Sequence, residues 1–91
     1  MKVHVTGLGV TAPNGLGAEA YWDATLAGRG GIGEITRFDA SALPARLAGQ
    51  ILDFDAKEHI PSRLLPQTDV STRFTLAASE WALADAKVDP T

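Results

Sequence analysis

The sequence predicts an α/β fold, and three observations lead to that prediction. Residues 2–10 favour a strand, because Val3 and Val5 alternate with polar residues. A glycine-rich turn and a helix follow by Gly28, and a longer helical pattern covers residues 69–87. One strand and one helix cannot bury each other's faces alone, so the sequence also predicts further layers.

Composition and charge exclude several classes of protein. The 91 residues are one domain at most, and an apolar fraction of 45% is typical of a globular chain. The net charge of −3 provides no basic field for nucleic acid, and the absence of cysteine excludes disulfides and thiol chemistry within these residues. No apolar run approaches the roughly 18 residues of a membrane span. We expect no secretory signal and a cytoplasmic location.

The first turn resembles a dinucleotide-binding fingerprint only on paper. Residues 7–12, GLGVTA, fit the pattern G-x-G-x-x-G/A after a predicted strand. A pyrophosphate site needs a helix that begins at once, whereas Pro13, Asn14 and Gly15 delay the helix to residue 17 or 18. The sequence therefore predicts a structural connection, in which glycines allow positive φ and close backbone approach.

The first helix is predicted over residues 18–27 and ends at Gly28, as helices commonly end at glycine. Its apolar positions follow the helical period on a single face, which predicts core or interface packing rather than ligand stacking. The members of this face are Ala18, Tyr21, Trp22, Thr25 and Leu26.

The middle of the chain carries weaker signals. Residues 29–39 contain three glycines and no clear period, which predicts a loop. Residues 45–51 predict a short strand, in which Gly49 indicates a bulge or a close approach. Asp55 is predicted to cap a short helix through Ile60.

The acidic cluster Asp53, Asp55 and Glu58 is predicted to be a solvated face, because a calcium loop needs more ligands and a glycine at its turn. His59 is predicted to be a surface or capping residue. His4 lies far away in the predicted strand, so the sequence supports no zinc site. Residues 61–66 predict one turn of helix bounded by prolines.

The strongest helix is predicted over residues 69–87, with Asp69 as its N-cap and Ser71 as the alternative. Its many alanines predict a helix whose backbone approaches its neighbours, and its apolar character predicts burial on most sides. The other predicted elements are too few to bury it, which indicates the first part of a larger unit. The predicted face comprises Phe74, Ala77, Ala78, Trp81, Ala84 and Ala86.

Three motifs together resemble a known family. They are VTGLGVTAPNGLG, YWDATLAGRGGIGEITRFD and the helix RFTLAASEWALADA followed by VDP. Their order along the whole chain resembles the N-terminus of β-ketoacyl synthases. The resemblance implies a partial thiolase-like fold, with residues 2–10 as the first strand and residues 69–87 as an early helix of the N-terminal αβαβα repeat. Residues 1–91 would then be an incomplete N-terminal domain.

The resemblance also implies an activity. These acyltransferases join an acyl group on an active-site cysteine to a malonyl unit on acyl carrier protein, with loss of carbon dioxide. The family's cysteine and two histidines lie beyond the stretch that this chain resembles, and neither His4 nor His59 matches them. We therefore expect no catalytic, cofactor-binding or metal-binding residue in residues 1–91, and no activity from them alone.

Within the family, residues 47–51 and 61–73 look most like the chain-length factor of type II aromatic polyketide synthases. Gln67 and Thr68 before Asp69 favour this subunit over a catalytic ketosynthase. The implied partners are a catalytic ketosynthase, in a heterodimer, and acyl carrier protein. Two alternatives stay open: a part of a catalytic β-ketoacyl synthase, and a free-standing small α/β binding module.

Overall fold

A computed structural model describes residues 2–89 of the chain. In chain order, the elements are β1 (Thr11–Ala12), β2 (Gly15–Leu16), α1 (Ala18–Leu26), β3 (Ile32–Glu34), β4 (Leu47–Gly49), α2 (Ala56–His59), a 3-10 helix (Ser62–Gln67) and α3 (Val70–Ala86). The strands form two antiparallel pairs, β1 with β2 and β3 with β4.

The segment of residues 2–10, here called the N-terminal segment, corrects the first prediction. It pairs with no strand among the described residues, and the first ladder begins only at β1, where Ala12 pairs with Gly15. Strand structure requires hydrogen bonds to a neighbouring strand, which β-favouring residues alone do not supply. The segment instead lies alongside α3, and its Leu8 N–H donates to the Asp85 carboxylate at 2.9 Å.

Helix α1 confirms its predicted extent and its end. The Gly28 N–H donates to the Thr25 carbonyl, and the Arg29 N–H donates to the Ala24 carbonyl. Gly28 adopts a φ of 73°, which completes a Schellman cap that only glycine forms without strain. The buried side chain of the helix is Ala24.

The predicted packing face of α1 is only partly covered in the described structure. Trp22 is 57% exposed and Leu26 is 68% exposed. The helix contacts the short strand β2, which is too small to cover two large side chains. The described residues therefore do not bury Trp22 and Leu26 in a core, and the prediction of interface packing, its other half, stays a prediction.

A two-stranded ribbon replaces part of the predicted loop. β3 pairs with β4, with Gly33 opposite Ala48, so the loop prediction for residues 29–39 is wrong at Ile32–Glu34. The glycines of residues 29–39 weaken any strand signal in the sequence. Ile32–Glu34 forms a strand because it pairs with β4, which lies within the strand predicted at residues 45–51. A Cβ at Gly49 would lie 2.9 Å from Pro13 Cγ, which confirms the predicted close approach.

The two capped helices confirm their predictions. Asp55 accepts the Lys57 N–H at 3.0 Å and begins α2, and Asp69 accepts the Thr72 N–H at 2.7 Å and begins α3. The proline-bounded turn is the 3-10 helix. Lys87 ends α3 in the left-handed conformation, with φ 60°.

The described residues do not form a compact core. The radius of gyration is 15.7 Å, whereas a compact 91-residue domain measures about 12 Å. The buried hydrophobic residues are Ala24, Ala40, Ile60 and Ala77. Helix α3 contributes only Ala77 to them, so its predicted burial on most sides is not seen here. Small side chains cannot supply the apolar area that larger cores bury.

Candidate functional site

The N-terminal segment lies between two helices, and its glycines face α3. A Cβ at Gly9 would overlap the Ala78 carbonyl oxygen, and one at Gly7 would lie 2.6 Å from the Ala86 nitrogen. The Thr11 hydroxyl, further along, donates to the Phe74 carbonyl at 3.4 Å. The segment therefore runs antiparallel to α3 in backbone contact, which confirms the close approach predicted from the alanines and glycines.

The opposite side of the segment forms an apolar groove with α1. The groove has a volume of about 630 Å³ and is lined by Leu8, Val10, Ala18, Glu19, Tyr21 and Trp22. Glu19 is its only charged lining residue. Such a surface suits apolar side chains, and a single carboxylate is too few ligands for a metal site.

The glycine pattern at residues 7–12 serves this packing. Neither Gly7 nor Gly9 has a positive φ, so the positive φ expected at the turn is not found there, whereas the close approach is. Helix α1 begins at Ala18, well after the pattern ends. The arrangement differs from a dinucleotide site, in which the helix begins at the glycine turn.

His59 corrects the prediction of a surface or capping residue. Its ring stacks on Phe54 at 5.1 Å and meets Trp81 edge-on at 5.2 Å. Phe54 also meets Phe74 edge-on at 5.1 Å. These four rings, here called the aromatic cluster, hold α2 against α3. The separation of 22 residues between His59 and Trp81 concealed this contact in the sequence.

The predicted acidic cluster is exposed, as expected for a solvated face. Asp53, Asp55 and Glu58 all lie at the surface, and Asp55 is occupied as a helix cap. Among residues 2–89, no group of three histidine or acidic side chains converges as a metal site would require. His4 is exposed and lies outside the aromatic cluster.

Arg73 joins the 3-10 helix to α3, and the sequence analysis did not identify it. Its guanidinium donates to the Leu65 carbonyl and to the Thr68 hydroxyl. The Thr72 N–H, with a smaller contribution from the Arg73 charge, lowers the pKa of the Asp69 carboxyl below its ordinary value. A basic residue four positions after a capping acid was the available signal.

A second acidic group has a lowered pKa for a local reason. The Ser41 side chain and the Ser41 N–H both hold the pKa of Asp39 below its ordinary value. The N–H contact measures 3.0 Å and closes a turn within the loop between β3 and β4. Because the hydrogen bonds are local and the carboxylate is exposed, the shift belongs to a structural turn and not to a catalytic acid.

The placement of the N-terminal segment beside α1 and α3 indicates the class of protein. An extended segment with α3 packed on one side and a groove shared with α1 on the other corresponds to one strand position of a layered α/β structure. Across residues 2–89, no helix combines the length and apolarity needed to cross a membrane.

Comparison with known proteins gives the family. The β-ketoacyl synthase N-terminal domain matches residues 1–91. The granaticin polyketide β-ketoacyl synthase 2 of Streptomyces violaceoruber is 69% identical over 86 residues, which are 94% of this chain and 21% of that protein. The tetracenomycin polyketide synthase ketoacyl synthase beta subunit of Streptomyces glaucescens is 59% identical over 88 residues, which are 97% of this chain and 22% of that protein.

A solved structure agrees. The ishigamide ketosynthase/chain length factor superposes with a TM-score of 0.80 at 32% identity, over 93% of this chain and 21% of that one. The chain belongs to the β-ketoacyl synthase family and has a partial thiolase-like α/β fold. It spans about a fifth of the length of the relatives that it matches.

Proposed function

We propose that residues 1–91 are the N-terminal part of a chain-length factor, the subunit that pairs with a catalytic ketosynthase in a type II polyketide synthase. The observation that carries the proposal is 59% identity to a protein named as a ketoacyl synthase beta subunit. The similarity to a ketosynthase/chain length factor structure supports it independently. The wider assembly would condense malonyl units on acyl carrier protein, with loss of carbon dioxide, to build an aromatic polyketide.

The proposal gives these residues a structural role in an acyltransferase. The two histidines of the chain are poor candidates for catalysis, since His59 is stacked between Phe54 and Trp81 and His4 lies exposed in the N-terminal segment. We therefore assign no catalytic, cofactor-binding or metal-binding residue to residues 1–91. On this proposal they form an incomplete part of the N-terminal domain and are inactive alone.

The test of the subunit assignment is the DNA sequence downstream of the codon for Thr91. A glutamine or another residue without a nucleophilic side chain at the expected nucleophile position supports the chain-length factor. A cysteine there identifies a catalytic ketosynthase, the second candidate, and overturns the proposal. An immediate stop codon removes the basis for assigning either activity.

Partner binding needs a separate test. The full-length reading frame, tagged and expressed with a ketosynthase subunit from the same gene neighbourhood, is expected to copurify with it in equal amounts. Expression without that subunit is the control. A full-length chain that purifies as a stable monomer and does not bind the ketosynthase contradicts the proposed heterodimer. Immobilised acyl carrier protein tests the second proposed partner in the same preparation.

A free-standing binding module fits the structure less well. Val3 is 86% exposed, Val5 is 80% exposed and Trp22 is 57% exposed, which is unusual for a stable small domain.

The cytoplasmic location expected from the sequence is part of the main proposal, and imaging a tagged full-length chain tests it.

A further inference from the structure

We propose that the cavity lined by Arg37 and Arg73, at the start of α3, is a binding site for a small carboxylate with an apolar body. The two guanidiniums hold the carboxylate, and the apolar walls of the cavity hold the rest of the ligand. The proposal adds a ligand site to a member of the family, and it does not depend on whether the subunit is a chain-length factor or a catalytic ketosynthase.

The charge of the cavity has one sign. Among the described residues, the two arginines are its charged lining residues and the others are apolar. The Arg37 guanidinium donates to the Ile51 carbonyl, and the Arg73 guanidinium donates to the Leu65 carbonyl and the Thr68 hydroxyl, so these acceptors are all neutral. A guanidinium carries five N–H donors. Both groups therefore keep N–H donors and a full positive charge for an anion.

Arg37 is held at both of its ends. Its backbone N–H donates to Gln50 Oε1 at 3.2 Å, and its Nη2 donates to the Ile51 carbonyl at 3.4 Å. The Gln50 side chain also accepts the Thr36 N–H and donates to the Glu34 carbonyl, both at 3.0 Å, which joins Arg37 to the ribbon of β3 and β4. An arginine that is already fixed loses less conformational entropy when it binds a ligand.

The other side of the cavity is formed by the first turns of α3. Arg73 is half-buried and is fixed by its bonds to the 3-10 helix. Val70, the first residue of α3, also lines the cavity, so the positive end of the helix dipole favours an anion there. The Asp69 carboxylate accepts the Thr72 N–H at 2.7 Å and is not a lining residue.

The apolar walls decide the kind of anion. Phe54 and Phe74 line the cavity and meet edge-on at 5.1 Å, which fixes both rings. The cavity measures about 110 Å³, and a second cavity of about 290 Å³ shares Arg37, Ile51 and Phe74 with it. Together they reach the size of small-molecule sites, which begins at about 300 Å³. Inorganic phosphate leaves these walls uncovered, whereas an aryl or alkyl carboxylate covers them and presents two oxygens to the guanidiniums.

The test uses benzoate as the probe and the full-length reading frame that encodes this chain, purified with a ketosynthase subunit if it requires one. Equilibrium dialysis and saturation-transfer NMR measure binding. We expect a Kd on the order of 1 mM, because a small ligand offers few contacts to offset the cost of association. Benzamide keeps the ring without the charge and should bind about 10-fold more weakly or worse.

Three results overturn the proposal. Absence of benzoate binding shows that other parts of the polypeptide fill or cover the cavity. Equal binding of benzoate and benzamide excludes recognition of the charge, and inorganic phosphate that binds as tightly as benzoate excludes a role for the apolar walls. None of these results depends on the residue at the nucleophile position, which decides the subunit type separately.

A matched pair of arginine variants locates the benzoate. Arg37→Met removes one charge from the cavity and should weaken binding by about 10-fold or more. Arg63→Met is the control, since Arg63 is exposed and lines neither cavity, and it should leave the Kd unchanged. Equal effects of the two substitutions, or none from Arg37→Met, place benzoate elsewhere and overturn the proposal.

A second substitution covers a failure of Arg37→Met to fold. Arg37→Lys keeps the positive charge but loses the planar fork that matches a carboxylate, so it should still weaken benzoate binding. An unchanged Kd for Arg37→Lys contradicts the proposal.

Discussion

Gly9 shows at the scale of one residue why the N-terminal segment can lie on α3. A Cβ on Gly9 would overlap the Ala78 carbonyl oxygen, and a Cβ on Gly7 would lie 2.6 Å from the Ala86 nitrogen. The sequence pattern G-x-G is therefore a packing requirement here, since backbone atoms cannot move aside as the end of a flexible side chain can.

The variants below are made in a full-length hybrid, in which this chain replaces the matched residues of the granaticin relative. Gly9→Ala should destabilise this hybrid by about 3 kcal/mol, because the added methyl group forces the N-terminal segment away from α3. Gly33→Ala is the matched control, since a Cβ at Gly33 meets nothing within 4 Å. Urea unfolding of both variants measures the difference. A Gly9→Ala hybrid as stable as the Gly33→Ala hybrid would show that the N-terminal segment and α3 are not tightly packed against each other.

Lys87 is a second residue whose backbone decides its effect. It has a φ of 60° at the end of α3, a conformation that costs a residue with a Cβ about 1–2 kcal/mol. Lys87→Gly should therefore stabilise the hybrid by about 1 kcal/mol, measured by urea unfolding. Lys87→Ala removes the same charge without relieving the backbone, so stabilisation by alanine as well would assign the effect to charge.

At the scale of elements, α2 is held by side chains and not by its own length. A four-residue helix is far too short to be stable in isolation. The Asp55 cap begins it, and the aromatic cluster then fixes it against α3 through His59 and Trp81. The docking of this short element therefore depends on a few aromatic contacts that are distant in sequence.

His59→Ala should lower the stability of the hybrid by about 1–2 kcal/mol, since each aromatic pair contributes about 0.5–1.5 kcal/mol beyond the area it buries. His59→Phe keeps both ring contacts and should retain most of the stability. His4→Ala controls for loss of an exposed histidine. Thermal unfolding compares the three, and equal effects of His59→Ala and His4→Ala would exclude a docking role for the cluster.

The cap of α3 predicts a pH dependence. The Asp69 pKa is lowered in the folded state from 3.8, mainly by the Thr72 N–H, so folding favours the carboxylate. Its contribution to stability is present above pH 3.8 and is lost as the pH falls through the lower folded pKa. Asp69→Asn keeps an oxygen for the cap but cannot titrate. Urea unfolding from about pH 2.5 to about pH 6 should show a smaller loss of stability for the Asp69→Asn hybrid than for the unchanged hybrid.

At the scale of the whole molecule, the elements are well formed but the core is small. Among residues 2–89, the buried residues are three alanines and one isoleucine, and the principal extents of 50 × 37 × 26 Å describe an elongated body. Local capping and short-range contacts form helices, whereas cooperative unfolding requires a shared core. The described residues thus contain local order without the packing that would make them a single cooperative unit.

The 91-residue chain should unfold without a sharp transition, and it should aggregate or bind 1-anilinonaphthalene-8-sulfonate through its exposed apolar surface. The full-length hybrid should unfold cooperatively and bind little dye. Differential scanning calorimetry and dye fluorescence check both. A sharp calorimetric transition in a monomer of the 91-residue chain would support a free-standing module instead.

The sequence by itself determined the features that depend on neighbours along the chain. The Asp55 and Asp69 caps, the glycine end of α1 and the extent of α3 follow from local hydrogen bonds and backbone preferences, and all were predicted. The family was also identified, because its motifs lie in order along the chain. The sequence predicted no catalytic, cofactor-binding or metal-binding residue in residues 1–91, so it made no prediction of a catalytic arrangement to compare with the structure.

Only the tertiary structure decided the features that join distant residues. β3 acquired its strand character from β4, His59 joined the aromatic cluster through Trp81, and Arg73 reached back to the 3-10 helix. It also decided that residues 2–10 lie along α3 without a strand partner among the described residues. The physical reason is that a helix satisfies its backbone within itself, whereas a strand and a packed face take their order from partners elsewhere.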